Sequence, residues 1–84
     1  MIKKQIENYI MRNSNIDFNY NGKRYGIERM KDDDSMSKIY FWEWHNEATF
    51  DTAYSNFSDF ENNAKIDGVS VVEILRNIDD VDVF

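Results

Sequence analysis

The dipeptide Asn21-Gly22 stands between two runs whose apolar residues recur at every second position. Ile16, Phe18 and Tyr20 precede it, alternating with Asp17 and Asn19. Tyr25 and Ile27 follow, alternating with Arg24, Gly26 and Glu28. A type I′ turn needs positive φ at both central residues, and Asn-Gly meets that need at least cost. The turn sets the register: Tyr20 opposite Lys23, Phe18 opposite Tyr25, Ile16 opposite Ile27. Every large apolar side chain then lies on one face, and a slip of one residue would move them all to the other. The chain is thereby committed to an antiparallel sheet with one buried face.

The second constraint is Lys38-Ile39-Tyr40-Phe41-Trp42-Glu43-Trp44, the densest apolar run, which holds both tryptophans. Aromatic and β-branched residues suit a pleated surface, so residues 37–44 read as a strand. His45-Asn46-Glu47 reads as a turn. Ala48, Phe50, Thr52 and Tyr54 alternate with polar or small residues as a fourth strand, with Trp44 facing Ala48, Trp42 facing Phe50 and Tyr40 facing Thr52.

Helical spacing appears at both ends. Ile2, Ile6, Tyr9 and Ile10 form one stripe over residues 2–13, ended by Asn13-Ser14-Asn15. Phe57, Phe60 and Ala64 form a second, capped by Ser55 or Asn56 and broken at Ile66-Asp67-Gly68. Ser70 and Glu73 have capping-box spacing, and Val71, Ile74, Leu75 and Ile78 supply the face that follows. Val81-Asp82-Val83-Phe84 is a short extended tail, free or added to a sheet edge. The expected fold is α+β: an N-terminal helix, a four-stranded antiparallel meander sheet and two short C-terminal helices packed on one face, all in a single domain spanning residues 1–84.

The connection at residues 31–36 leaves two registers open for the tryptophan strand. One places Tyr40, Trp42 and Trp44 under the helices with Phe18, Tyr25, Ile27 and Phe50, leaving Ile39 and Phe41 outside beside Arg24, Glu28 and Ala53. The other makes Ile39 and Phe41 core and leaves Tyr40, Trp42, Trp44 and Phe50 as an outer stripe. The first hides more apolar area, at about 25 cal/mol per Å², and is the expected one. The second presents the kind of apolar patch that marks an interaction site.

A chain of 84 residues buries only about 60% of its unfolded surface, so two Trp, five Tyr and six Phe must be mostly core. Cysteine is absent, which removes disulfides and thiolate metal sites. Glu7 and Asn8 interrupt any signal-like apolar stretch, and no run approaches the roughly 20 residues that span a bilayer. A soluble, cytoplasmic protein without membrane contact is expected. The net charge of −6 is uneven: residues 1–40 carry eight Lys/Arg against six Asp/Glu, residues 41–84 two against ten. An acidic C-terminal half repels phosphate backbones and attracts basic partners.

Single residues offer little chemistry. His45 is the only histidine, and it reads as a turn residue, since a general base needs a nearby nucleophile and zinc needs further ligands. Asp32, Asp33 and Asp34 lack the alternation, glycine and terminal Glu of a calcium loop. Lys23, Arg24, Arg29, Lys31 and Lys38 cluster about the hairpin, but nearby acids and the lack of a nucleic-acid motif argue against that ligand. Gly26 reads as a strand position opposite an aromatic. No phosphate loop, Ser-His-Asp arrangement or metal-ligand pair occurs. The reading is a non-enzymatic protein–protein interaction module, with no cofactor and no metal. Its expected contact residues are Ile39, Phe41, Arg24, Asp79, Asp80 and Asp82, and a homodimer through the sheet face or a strand edge is one version.

In size, acidity and mixed helix–sheet layout the chain resembles small phage-encoded inhibitors, including anti-CRISPR proteins. No motif or matched residue carries the resemblance, so it assigns no site. It implies an alternative function, an acidic nucleic-acid mimic that blocks a DNA- or RNA-handling enzyme and is encoded on a phage or other mobile element.

Overall fold

The computed structural model describes residues 1–31, 36–46 and 52–84. The Asp32–Asp34 connection and the proposed pairs Trp44–Ala48 and Trp42–Phe50 lie outside the described residues.

Helix α1 spans Lys3–Met11, with Ile6 and Ile10 fully buried. The Gln5 side chain accepts a bond from the Ile2 backbone N–H at 3.0 Å, closing the first turn. Asn13 ends the helix by adopting φ 62°. Its N–H then donates to Ile10 O and the Ser14 N–H to Tyr9 O. This is the paired 5→2 and 6→1 bonding of a left-handed helix stop, with Asn in place of the usual Gly.

The hairpin forms with the expected pairs. Strand β1, Ile16–Tyr20, faces β2, Lys23–Lys31, with Ile16 opposite Ile27, Phe18 opposite Tyr25 and Tyr20 opposite Lys23. Asn21 and Gly22 take φ 52° and 77°. Strand β3, Ser37–Glu43, pairs with the far side of β2, and β4, Ala53–Tyr54, pairs with β3. Here Tyr40 faces Ala53, not Thr52, so the expected register is off by one. The shift turns Tyr54 inward, where its ring meets Phe60 edge-on at 5.6 Å.

Helix α2, Phe57–Asn63, is capped by the Asn56 side chain, which accepts the Asp59 N–H at 2.8 Å. The break after it is a small hairpin of its own, β5 (Lys65–Ile66) and β6 (Val69–Ser70), turned by Asp67-Gly68 at φ 51° and 83°. Helix α3, Val71–Asn77, follows directly. The expected Ser70–Glu73 capping box does not form. The Ser70 hydroxyl donates to Glu61 O, and the Glu73 carboxylate accepts from Arg76 and Asn77. The tail becomes β7, Val81–Val83, antiparallel to the outer side of β1. Among the described residues the sheet therefore has five strands, not four, in the order β4-β3-β2-β1-β7. The antiparallel order of β1 to β4 is as expected, residues 48–51 of the expected fourth strand lie outside the described residues, and the tail extends the sheet by one.

One buried cluster joins the three helices to the inner face of the sheet. Phe18, Tyr25 and Phe41 stack ring on ring across three strands at 5.4 and 5.7 Å. Phe60 of α2 meets Phe41 edge-on.

The register of the tryptophan strand is the main correction. Ile27 faces Phe41, Arg29 faces Ile39 and Gly26 faces Trp42. Ile39 and Phe41 belong to the core cluster, whereas Tyr40, Trp42 and Trp44 lie on the face away from the helices. The expectation of more buried area under the helices fails for a definite reason. Trp42 loses its water without entering the core, because its indole lies over Gly26. A Cβ added to Gly26 would come 2.5 Å from the Trp42 ring. The indole is only 7% exposed there.

Candidate functional site

The outer face is built in cross-strand rows. Asp82, Asp17, Gly26 and Trp42 form one row over β7, β1, β2 and β3. Asn19 and Arg24 form the next, and the Trp44 N–H bonds Arg24 O at 2.8 Å. Beyond β7, Phe84 and Asn15 exchange backbone bonds at 3.0 Å, which fixes the last residue beside β1. The glycine in the middle row provides the depth. Two bulky indoles can sit side by side there, edge to face, with centroids 6.0 Å apart.

An open cleft of about 540 Å³ results, walled by Trp42, Trp44 and Phe84. Asp17, Glu28 and Glu43 supply carboxylates to it, and Asn15, His45 and Asn46 complete the rim. Among the described residues no lysine or arginine lines it. Trp44 and Phe84 are exposed, while Trp42 and Asp17 are buried. His45 follows β3 in a left-handed turn at φ 64°.

Asp17 is the buried charged residue of this face. The Arg24 guanidinium approaches it at 3.4 Å and Asp82 at 3.1 Å. The Trp44 indole is near enough to favour the charged form of Asp17. Burial pushes the Asp17 carboxyl above the usual carboxylate range, against the opposing pull of Arg24 and Trp44, and Asp82 adds to the rise. Arg24 is held more firmly protonated, chiefly by its bond to Asp82. At the end of β3, the Asn46 side chain and then Lys23 hold Glu43 below its ordinary range. Half-buried Glu28 makes no ion pair with a described residue.

The residues expected to make contact separate into two groups. Ile39 and Phe41 are core and cannot meet a partner on the outer face, because the Phe41–Ile27 register turns them to the helices. Arg24 and Asp82 are brought together as an ion pair, and Asp80 accepts from Asn19 at 3.0 Å, tying the tail to the hairpin. Asp79 is exposed, and its backbone oxygen accepts the Val81 N–H. Of the basic cluster, Lys23 pairs with Glu43, Arg24 with Asp17 and Asp82, and Arg29 bonds Asn13. The two halves of the chain also cross-pair, through Lys3–Glu61, Lys23–Glu43 and Arg24–Asp82. The acidic half is thus partly neutralised by the basic one.

Sequence reasoning missed Trp42, Trp44, Asp17, Glu28 and Phe84 as a set. The available signal was Gly26, mid-strand on the hairpin's outer face, since a glycine there leaves room for one large neighbour.

Among the described residues no group of three or more His, Asp or Glu side chains is arranged to hold a metal ion, and no helix is long and apolar enough to cross a membrane. No family model, curated protein or solved structure matches the chain.

Proposed function

We propose that this protein is a non-enzymatic interaction module that docks another protein on the outer face of its sheet. The supporting observation is the exposed Trp44 ring beside buried Trp42, set against the carboxylates of Asp17 and Glu28. Aromatic anchors within a polar rim are the usual make-up of a contact that dominates binding energy. The acidic lining calls for a basic partner surface. Asp79, Asp80 and Asp82 extend that charge along the tail. The contact surface is therefore the tryptophan face, not one containing Ile39 and Phe41.

The decoy reading draws less support from this face. A phosphate mimic needs unpaired carboxylates in a row, whereas Asp17 and Asp82 share Arg24, and Glu43 holds Lys23.

Affinity capture from the organism's own extract, with wild type, Trp44→Ala and Glu73→Gln as baits, separates the readings. A docking module captures a partner with wild type and Glu73→Gln, loses it with Trp44→Ala, and keeps much of it at 0.5 M salt. A decoy captures a DNA- or RNA-handling enzyme that salt releases and Trp44→Ala retains. Capture that ignores Trp44 sinks the module reading.

A further inference from the structure

We propose that the cleft between Trp42, Trp44 and Phe84 receives an arginine side chain of the partner, its guanidinium stacked on Trp44 and forked onto Asp17 and Glu28. This rests on the interaction reading above and names the group that the face would recognise.

Three observations support it together. The cleft has aromatic walls and an acidic lining, and among the described residues no lysine or arginine lines it. A cation held over an indole and beside a carboxylate gains from both the ring quadrupole and the charge. Asp17 also has spare capacity. A carboxylate offers about four acceptor positions, and the Arg24 guanidinium takes one of them at 3.4 Å. Burial raises the Asp17 pKa despite Arg24, and a second guanidinium would oppose that rise. Finally, Glu28 lines the same cleft without an ion-pair partner among the described residues.

Arginine suits this arrangement better than other cations. Its planar fork matches flat indoles and carboxylate oxygens at once, whereas the lysine ammonium is a compact, strongly hydrated point charge. A trimethylated lysine has no N–H to offer the carboxylates.

The test is titration of the full chain with the N-acetyl amides of arginine, lysine, trimethyllysine and citrulline, followed by the indole N–H signals in NMR. Arginine amide should shift both indole signals and saturate with a Kd on the order of millimolar. Citrulline, of the same shape without charge, should cause no saturable shift. Lysine and trimethyllysine should bind several-fold more weakly. Glu28→Gln, a half-exposed change that leaves the core untouched, should weaken arginine by about tenfold. Trp44→Ala should abolish the residual Trp42 shift. Equal binding of citrulline, tighter binding of trimethyllysine, or unmoved indoles at 100-fold ligand excess would each overturn the proposal. So would a partner captured through Trp44 whose capture Glu28→Gln leaves unchanged, although that result leaves the interaction reading standing.

Discussion

The two faces of β3 carry similar apolar residues to opposite ends. On the inner face, Ile39 and Phe41 meet the rings of Tyr25 and Phe60 and close the core. On the outer face, Trp42 is nearly as hidden, yet it rests on a glycine and has Trp44, not a helix, beside it. Burial alone therefore does not tell core from surface here. A side chain lying flat on a sheet loses its water much as one packed under helices does, but only the second ties separate elements together. The inner face should govern stability, and the outer face should govern binding.

The largest effect should come from Phe41→Ala. It removes a ring that joins the sheet to α2, and should cost about 3–5 kcal/mol in urea unfolding. That is a large part of the stability of a domain this small. If Trp44→Ala costs more than Phe41→Ala, the contrast between the faces fails.

Gly26→Ala comes next. Its new methyl meets the Trp42 ring, so the indole must lift off the sheet. A loss of about 1–3 kcal/mol is expected, with a red shift of tryptophan emission. An unshifted spectrum would mean that Trp42 does not lie over Gly26.

Asp17→Asn should act through pH. The folded state binds the Asp17 proton more tightly than the unfolded chain does, because burial raises its pKa. Stability from this group is therefore complete below the unfolded value and falls as pH rises through the folded value. Asp17→Asn should flatten that fall in urea midpoints measured across the acidic range. An unchanged pH profile would remove Asp17 as a buried titrating group.

The smallest change in stability should follow Trp44→Ala, about 1 kcal/mol for the edge contact to Trp42. Circular dichroism should stay native while partner capture is lost.

Much of this fold was legible because local chemistry and global pattern agree. Asn21-Gly22 has one cheap turn, and its two-residue length dictated every pair of β1 and β2. The Asn56 cap and the α1 stripe were similarly local. The β3 register was not, since residues 31–36 carry no turn signal that sets it. Buried area alone favours the wrong face, because the space above Gly26 hides Trp42 on the outer surface as well. The Ser70–Glu73 box failed for a related reason. Glu61 O competes for the Ser70 hydroxyl, a contact nine residues away that spacing cannot reveal. The site shares these limits. Arg24 and Asp82 were recognised singly, but their meeting depends on β7 joining β1, which the tail's alternation left open.

The face assignment underlies both the stability contrast and the binding proposal, and nuclear Overhauser contacts among the aromatic rings test it directly. Phe41 ring protons should show contacts to Tyr25 and Phe60, and the Trp42 indole to the Gly26 α-protons and Trp44. Contacts from the Trp42 indole to Phe60 or Phe18, with Phe41 showing none, would place the tryptophans under the helices and contradict the account.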